Sequence, residues 1–171
     1  GGKDSRNKQI WYYRGATDGR INGSDNWCIT GIGIMKYVNP NDCAKWGGSI
    51  YQKVEPTLRY ADILLMYAEA LNEATDNGEF VPTEVYTNID IVRERSGLEG
   101  VIDSWKKYST SPNKPSTKEG MREIIRRERQ IELALEGIRY HDLRRWKLAK
   151  STYNNTFVRG WSIDQENTED Y

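Results

Sequence analysis

The chain has 171 residues, with 25 Lys+Arg against 25 Asp+Glu and a formal net charge of zero. That length supports one domain with a real core, and the balanced charge removes the global electrostatic reason to expect nucleic acid or an anionic membrane surface. Mean hydropathy is −0.82, yet 6 Trp and 11 Tyr are present, a mixture that suits either a loop-rich ligand-binding surface or a small core filled by rings.

The sequence shows no signal peptide, no membrane-spanning apolar stretch and no lipidation cysteine near its start. It opens Gly1-Gly2-Lys3 without an initiator Met, so it reads as a piece of a longer protein. Residues 1–55 are irregular, with turn-forming Gly, Asn and Asp in GATDGRINGSDN and NPNDC. Short apolar pieces such as Ile32–Val38 could be strands. Cys28 and Cys43 are the two cysteines; they suit either a loop-closing disulfide or two buried thiols. Neither sits in a metal-type spacing.

The pattern changes at PTLRYADILLMYAEALNEATDNG. Pro56 and Thr57 suit a helix start and Gly78 a stop. Tyr60, Ile63, Leu64, Tyr67, Leu71 and Ala74 recur at helical spacing and are predicted to face the core. Ala61 and Ala68 flank that face, and Arg59, Asp62, Glu69 and Glu73 are assigned to the opposite side. A second helix is predicted after Pro82, with Val85, Ile89 and Val92 on one face, Tyr86 at its border and Gly97 as the stop. The two read as a helical hairpin. Residues 99–116 read as a loop pinned by Trp105 and Tyr108.

A long helix is predicted next, with Ser116 and Glu119 as a capping box and Met121, Ile124, Ile125, Ile131, Leu135 and Ile138 along one face. Gly137 is expected to break it with a left-handed cap, and His141–Ala149 to form a short second helix. Beyond Ser151 the tail is polar. The organisation read from this pass is an irregular aromatic-rich segment (1–55), a helical region (56–150) and a polar tail (151–171), together one domain.

The segment RRERQIELALEGIRYHDLRRW carries Glu128 and Glu132 one turn apart on the face predicted to be buried. A buried carboxylate is costly unless paired and hydrogen-bonded. Arg139, Arg144 and Arg145, just past the Gly137 turn, are the expected partners, able to give a carboxylate two parallel hydrogen bonds. Arg122, Arg126 and Arg129 are assigned to solvent. Paired carboxylates could in principle act as general acid and base. Two glutamates among arginines should both be ionised, however, which is wrong for a general acid. An RNA-binding groove would instead leave the arginines unpaired. His141, the only histidine, supports neither a triad nor a metal cluster and is expected to satisfy a local hydrogen bond. No P-loop, GxGxxG, HExxH or CxxC pair is present.

RRERQIELALEGIRYHDLRRWKLA and LRYADILLMYAEALNEA resemble the two signature blocks of the SusD/RagB family. The order also matches, from Lys36-Tyr37 in MKYVNPND through the RYAD helix and VRERSG to the RRER block. The resemblance covers most of 31–150 and is weak for 1–30 and after 151. Gln130 and Ile138 depart from commoner family residues at those positions. The resemblance implies a mainly α fold of tetratricopeptide-like helix pairs with long irregular loops, an α-α superhelix, although no repeat of about 34 residues is visible. It also implies a non-catalytic, surface-exposed outer-membrane lipoprotein that binds glycan, or in some branches peptide, and partners a SusC-like TonB-dependent transporter. Neither a cofactor nor a metal is expected, and the lipid anchor would lie in a preceding N-terminal part. A helical-repeat scaffold for protein partners is the alternative.

The family's motif residues are scaffold, so sugar contacts have to be chosen on physical grounds. A pyranose presents an apolar face to Trp or Tyr and hydroxyls to Asn, Asp or Arg. Trp11, Tyr13 and Trp27 are the candidate stacking rings, with Arg14 and Asn26 as hydrogen-bonding partners. The same aromatics could instead anchor the irregular segment to the helices.

Overall fold

The computed structural model describes residues 4–6, 10–12, 32–34, 36–39, 41–42, 47–52, 56–76 and 78–154. The chain is mainly helical and divides into two compact units. One comprises Gly1–Ser5 with Glu55–Ala149, the other Arg6–Val54 with Lys150–Tyr171. In the second unit, strands β1 (Ile10–Tyr12) and β2 (Ile32–Ile34) pair antiparallel, with Trp11 opposite Gly33.

The first unit is built on α1 (Tyr60–Ala74), α2 (Thr83–Arg95), α3 (Val101–Tyr108), α4 (Lys118–Glu132) and α5 (Ile138–Arg145); α6 (Ala149–Tyr153) follows. Helix α1 packs against both α2 and α4. Leu64, Leu65, Ala68, Val85, Ile89, Val92, Val101, Met121, Ile124 and Ile125 make the core, with Leu71, Tyr86 and Trp105 packed at its edge. Fully burying an aliphatic side chain of this kind is worth roughly 1.5–3 kcal/mol.

Helix α1 is turned relative to its hydrophobic pattern. Tyr60 is 71% exposed, Tyr67 52% and Ile63 39%, while Ala61, Leu64, Leu65, Ala68 and Asn72 are buried. The reason is that α1 has two helical neighbours, and the second face is partly polar. Asp62 is buried there because a guanidinium meets it, a partner that a count of apolar residues cannot register. The small Ala61 and Ala68 are buried as parts of these contacts instead of flanking them.

Helix ends follow local chemistry. Helix α2 stops at Ser96, with Gly97 at φ +79 donating to the Glu94 carbonyl and Leu98 to the Arg93 carbonyl. This is the double-bonded left-handed stop expected of a glycine there. Residues 101–108, expected to be loop, form α3. Its start is held by Asp90, whose carboxylate accepts the Val101 N–H at 2.7 Å. Burial pushes the Asp90 carboxyl above its ordinary range. Trp105 reaches the core, whereas Tyr108 is 68% exposed and does not pin the segment.

Helix α4 begins one residue later than the sequence suggests. Thr117 is the cap, accepting the Gly120 N–H at 3.1 Å, while Ser116 ends a short 3-10 turn, Lys114–Ser116. That turn sits so close that a Cβ on Gly120 would collide with the Lys114 carbonyl oxygen. Helix α4 also ends early, at Glu132, so Leu135 is exposed in the turn instead of lining the core. Gly137 does adopt the left-handed conformation, φ +78, but it precedes α5 as its N-cap instead of ending α4, which has already stopped at its C-cap, Leu133.

Candidate functional site

The charged block of α4 is turned inward and neutralised. Glu128 and Glu132 are 4% and 3% exposed. Glu128 receives Arg93 at 3.2 Å. Glu132 receives Arg59 at 2.9 Å and Arg95 at 2.7 Å on the same carboxylate oxygen. Arg59 also donates to the Glu132 carbonyl at 2.9 Å and to Glu136 at 2.7–3.0 Å. Guanidinium pairing is therefore as expected, but its source is different. The partners come from α2 and from the residue preceding α1, not from α5. Long-range packing of α2 and the start of α1 on α4 brings those arginines across, whereas the Gly137 turn aims α5 elsewhere.

Arg129 is the larger correction. Assigned to solvent by its sequence neighbours, it is 3% exposed. Its Nη1 meets Asp62 at 2.8 Å, and its Nε and Nη2 meet the two oxygens of Asp142 at 2.9 and 3.1 Å. One guanidinium thus joins α1, α4 and α5 using three donors of its fork. A signal was present in the sequence: Met121, Ile125, Arg129 and Leu133 recur every four residues, and all four are buried. An arginine inside such an apolar ladder calls for buried carboxylates elsewhere, and Asp62 and Asp142 answer it.

Beside this network, Glu69 organises the end of α5. It takes both terminal nitrogens of Arg145 at 2.7 and 2.5 Å and the Trp146 indole N–H at 2.6 Å. Arg145 reaches Asp142 as well, at 2.9 Å. The Trp146 ring collects three guanidinium groups, from Arg145 at 4.7 Å, Arg126 at 4.9 Å and Arg139 at 5.9 Å from its centroid. Arg144 lies over Tyr140 instead, at 5.4 Å. His141 is exposed and meets the Tyr140 ring edge-on at 5.5 Å; among the described residues it does not make the expected local hydrogen bond. Nearer solvent, Arg122 holds Glu73 at 2.5 and 2.7 Å. Those hydrogen bonds keep the Glu73 carboxyl below its ordinary range.

Among the sequence-predicted sugar contacts, Trp11 lies at the middle of β1. Tyr13, Arg14, Asn26 and Trp27 lie outside the described residues, as do Cys28 and Cys43. No helix among the described residues is long and apolar enough to cross a membrane.

A network in which each buried acid faces a guanidinium is suited to holding helices together. Similar proteins place it in a lineage. The chain is 33% identical over 96 residues to SusD-like protein P2 of Formosa agariphila, an alignment that takes in 56% of this chain and spans about 17% of the relative's length. No solved structure matches the chain. The model of the SusD family matches residues 2–171, essentially the whole sequence. The chain belongs to the SusD family.

Proposed function

We propose that the chain is part of a non-catalytic glycan-binding protein exposed at the outer membrane, which captures an oligosaccharide or polysaccharide and delivers it to a SusC-like TonB-dependent transporter. The observation that carries the reading is the family match over residues 2–171. The inward, guanidinium-paired state of Glu128 and Glu132 supports it, because the most acid-rich block of the helices then works as architecture. Capture of this kind requires no covalent step. Affinity would come from ring stacking and a few well-placed hydrogen bonds.

In this reading the protein is held to the membrane by a lipid anchor in a preceding part of the parent protein, and its helix pairs belong to a tetratricopeptide-like superhelix. Trp11, Tyr13 and Trp27 stack on the sugar, while Arg14 and Asn26 bind its hydroxyls. The test is a glycan array on the full-length parent protein, followed by gel retardation in the polysaccharide identified. Binding that is lost in Trp11→Ala and Trp27→Ala supports the assignment. Unchanged retardation in both variants removes those residues from the site. Failure to bind any of a broad glycan panel removes the carbohydrate reading and leaves peptide cargo or a protein-binding scaffold.

A further inference from the structure

The arginines on the Trp146 ring are not equivalent. Arg145 is neutralised by Glu69 and Asp142. Arg126 and Arg139 make no ion pair among the described residues, although Glu73 and Glu123 lie within electrostatic reach of Arg126; what each meets is the indole. Arg126 also buries its Nε–H without a hydrogen-bond acceptor. An unsatisfied buried donor costs about 1–3 kcal/mol, and more on a charged group. The neighbouring carboxylates are already engaged, Glu69 by Arg145 and Trp146, and Glu73 by Arg122 in a two-bond pair. Two guanidinium groups without an ion pair, from different helices, therefore converge on one half-buried ring, and one of them lacks a hydrogen-bond acceptor at its Nε–H.

We propose that Arg126 and Arg139, displayed on Trp146, form a carboxylate-binding site that takes the acid group of a uronic-acid residue in the glycan cargo. The assignment rests on the glycan-binding reading above and adds to it a charge class and a place. A planar carboxylate offers two oxygens that match the parallel donors of a guanidinium. The indole holds both side chains near their binding positions, which lowers the ordering cost. Arg126 is half-buried, with its Nε–H sequestered and the rest of the residue partly open to solvent. An acid that draws it from the ring supplies its Nε–H with an acceptor. Arg126 lies on α4 and Arg139 on α5.

The test is a nuclear magnetic resonance titration of the chain with glucuronate, glucose and glucose 6-sulfate, following the Arg126 Nε–H and Trp146 indole N–H signals. Signals are assigned from Arg126→Gln and Trp146→Phe. Glucuronate is expected to move both signals saturably, and glucose neither. Arg126→Gln with Arg139→Gln should weaken glucuronate binding, read at the indole signal, by about tenfold or more, the size of one lost charge-assisted contact. Neither substitution breaks an ion pair of the buried network, and an unchanged far-ultraviolet dichroism spectrum checks the fold. Signals unmoved by glucuronate, equal movement by glucose, or full binding by the double variant would each overturn the site. Equally tight glucose 6-sulfate binding would overturn the carboxylate assignment. If glucuronate binds while the parent protein retains no polysaccharide, the transport reading fails and this site stands. If the parent binds glycans but glucuronate moves nothing, this inference alone falls.

Discussion

The two halves of α4 are buried by different chemistry. In the first half, Met121, Ile124 and Ile125 enter an apolar core. In the second, Glu128, Arg129 and Glu132 are equally sequestered but are held by ions. The comparison teaches that one helix can keep a constant inward face while its solvation problem changes. Apolar burial is favourable with any well-packed neighbour. Ionic burial is tolerable only when a specific counter-charge arrives from another element. The first half can therefore accept many neighbours, whereas the second specifies Arg93, Arg95, Arg59, Asp62 and Asp142.

The strongest way to break that contrast is to remove Arg129. Arg129→Met leaves Asp62 and Asp142 buried without their cation and should cost about 3–5 kcal/mol in chemical denaturation. Replacing both aspartates by apolar residues in the same background should restore most of that stability. No recovery would mean that the network contributes more than mutual neutralisation.

On the apolar side, Ile125→Ala should cost about 2–5 kcal/mol through lost burial and a residual cavity. Its cost should be insensitive to added salt. A smaller loss than in the other half is not required; what distinguishes the halves is that no second substitution at a charged residue rescues Ile125→Ala. At the entrance to the helix, Thr117→Ala should cost about 1 kcal/mol by removing the acceptor for the Gly120 N–H. An unchanged denaturation midpoint would show that the preceding 3-10 turn holds the helix start by itself.

The exposed ion pairs should matter least. Arg122→Ala should cost no more than about 1 kcal/mol and should do so less at high salt. Glu73 and Glu123 both have folded-state pKa values held below the ordinary range, by Arg122 and Lys114 respectively. Their stabilising contribution is therefore full above the ordinary carboxylate range and is lost as pH falls through the lower folded values. Asp90 acts oppositely, since burial raises its folded value. Protonation relieves it as pH falls, first through that raised value and then towards the ordinary range. Asp90→Asn should consequently make the acid-side loss of stability steeper in denaturation melts across that range, because a term that gains stability on acidification has been removed. A shallower profile would contradict the assignment of burial as the cause.

The sequence by itself determined α1, α2 and α4 as helices and the stop of α2, but not α3, which it read as loop. Periodic Val85, Ile89 and Val92 fixed the buried face of α2. Gly97 fixed the left-handed end of α2, and Gly137 the left-handed turn before α5, because that backbone region favours a residue without a Cβ. It also determined that Glu128 and Glu132 turn inward, since an apolar stripe on both sides of them leaves no other face to bury. Tertiary structure alone decided who meets them. Arg93, Arg95 and Arg59 are distant in sequence, and only the packing of α1 and α2 on α4 brings them across. The same packing turned Tyr60 and Tyr67 to solvent and Asp62 and Arg129 inward. Hydrophobic periodicity measures the affinity of each side chain for an apolar interior. It carries no record of a counter-charge on another helix, and that counter-charge is what makes a buried ion tolerable.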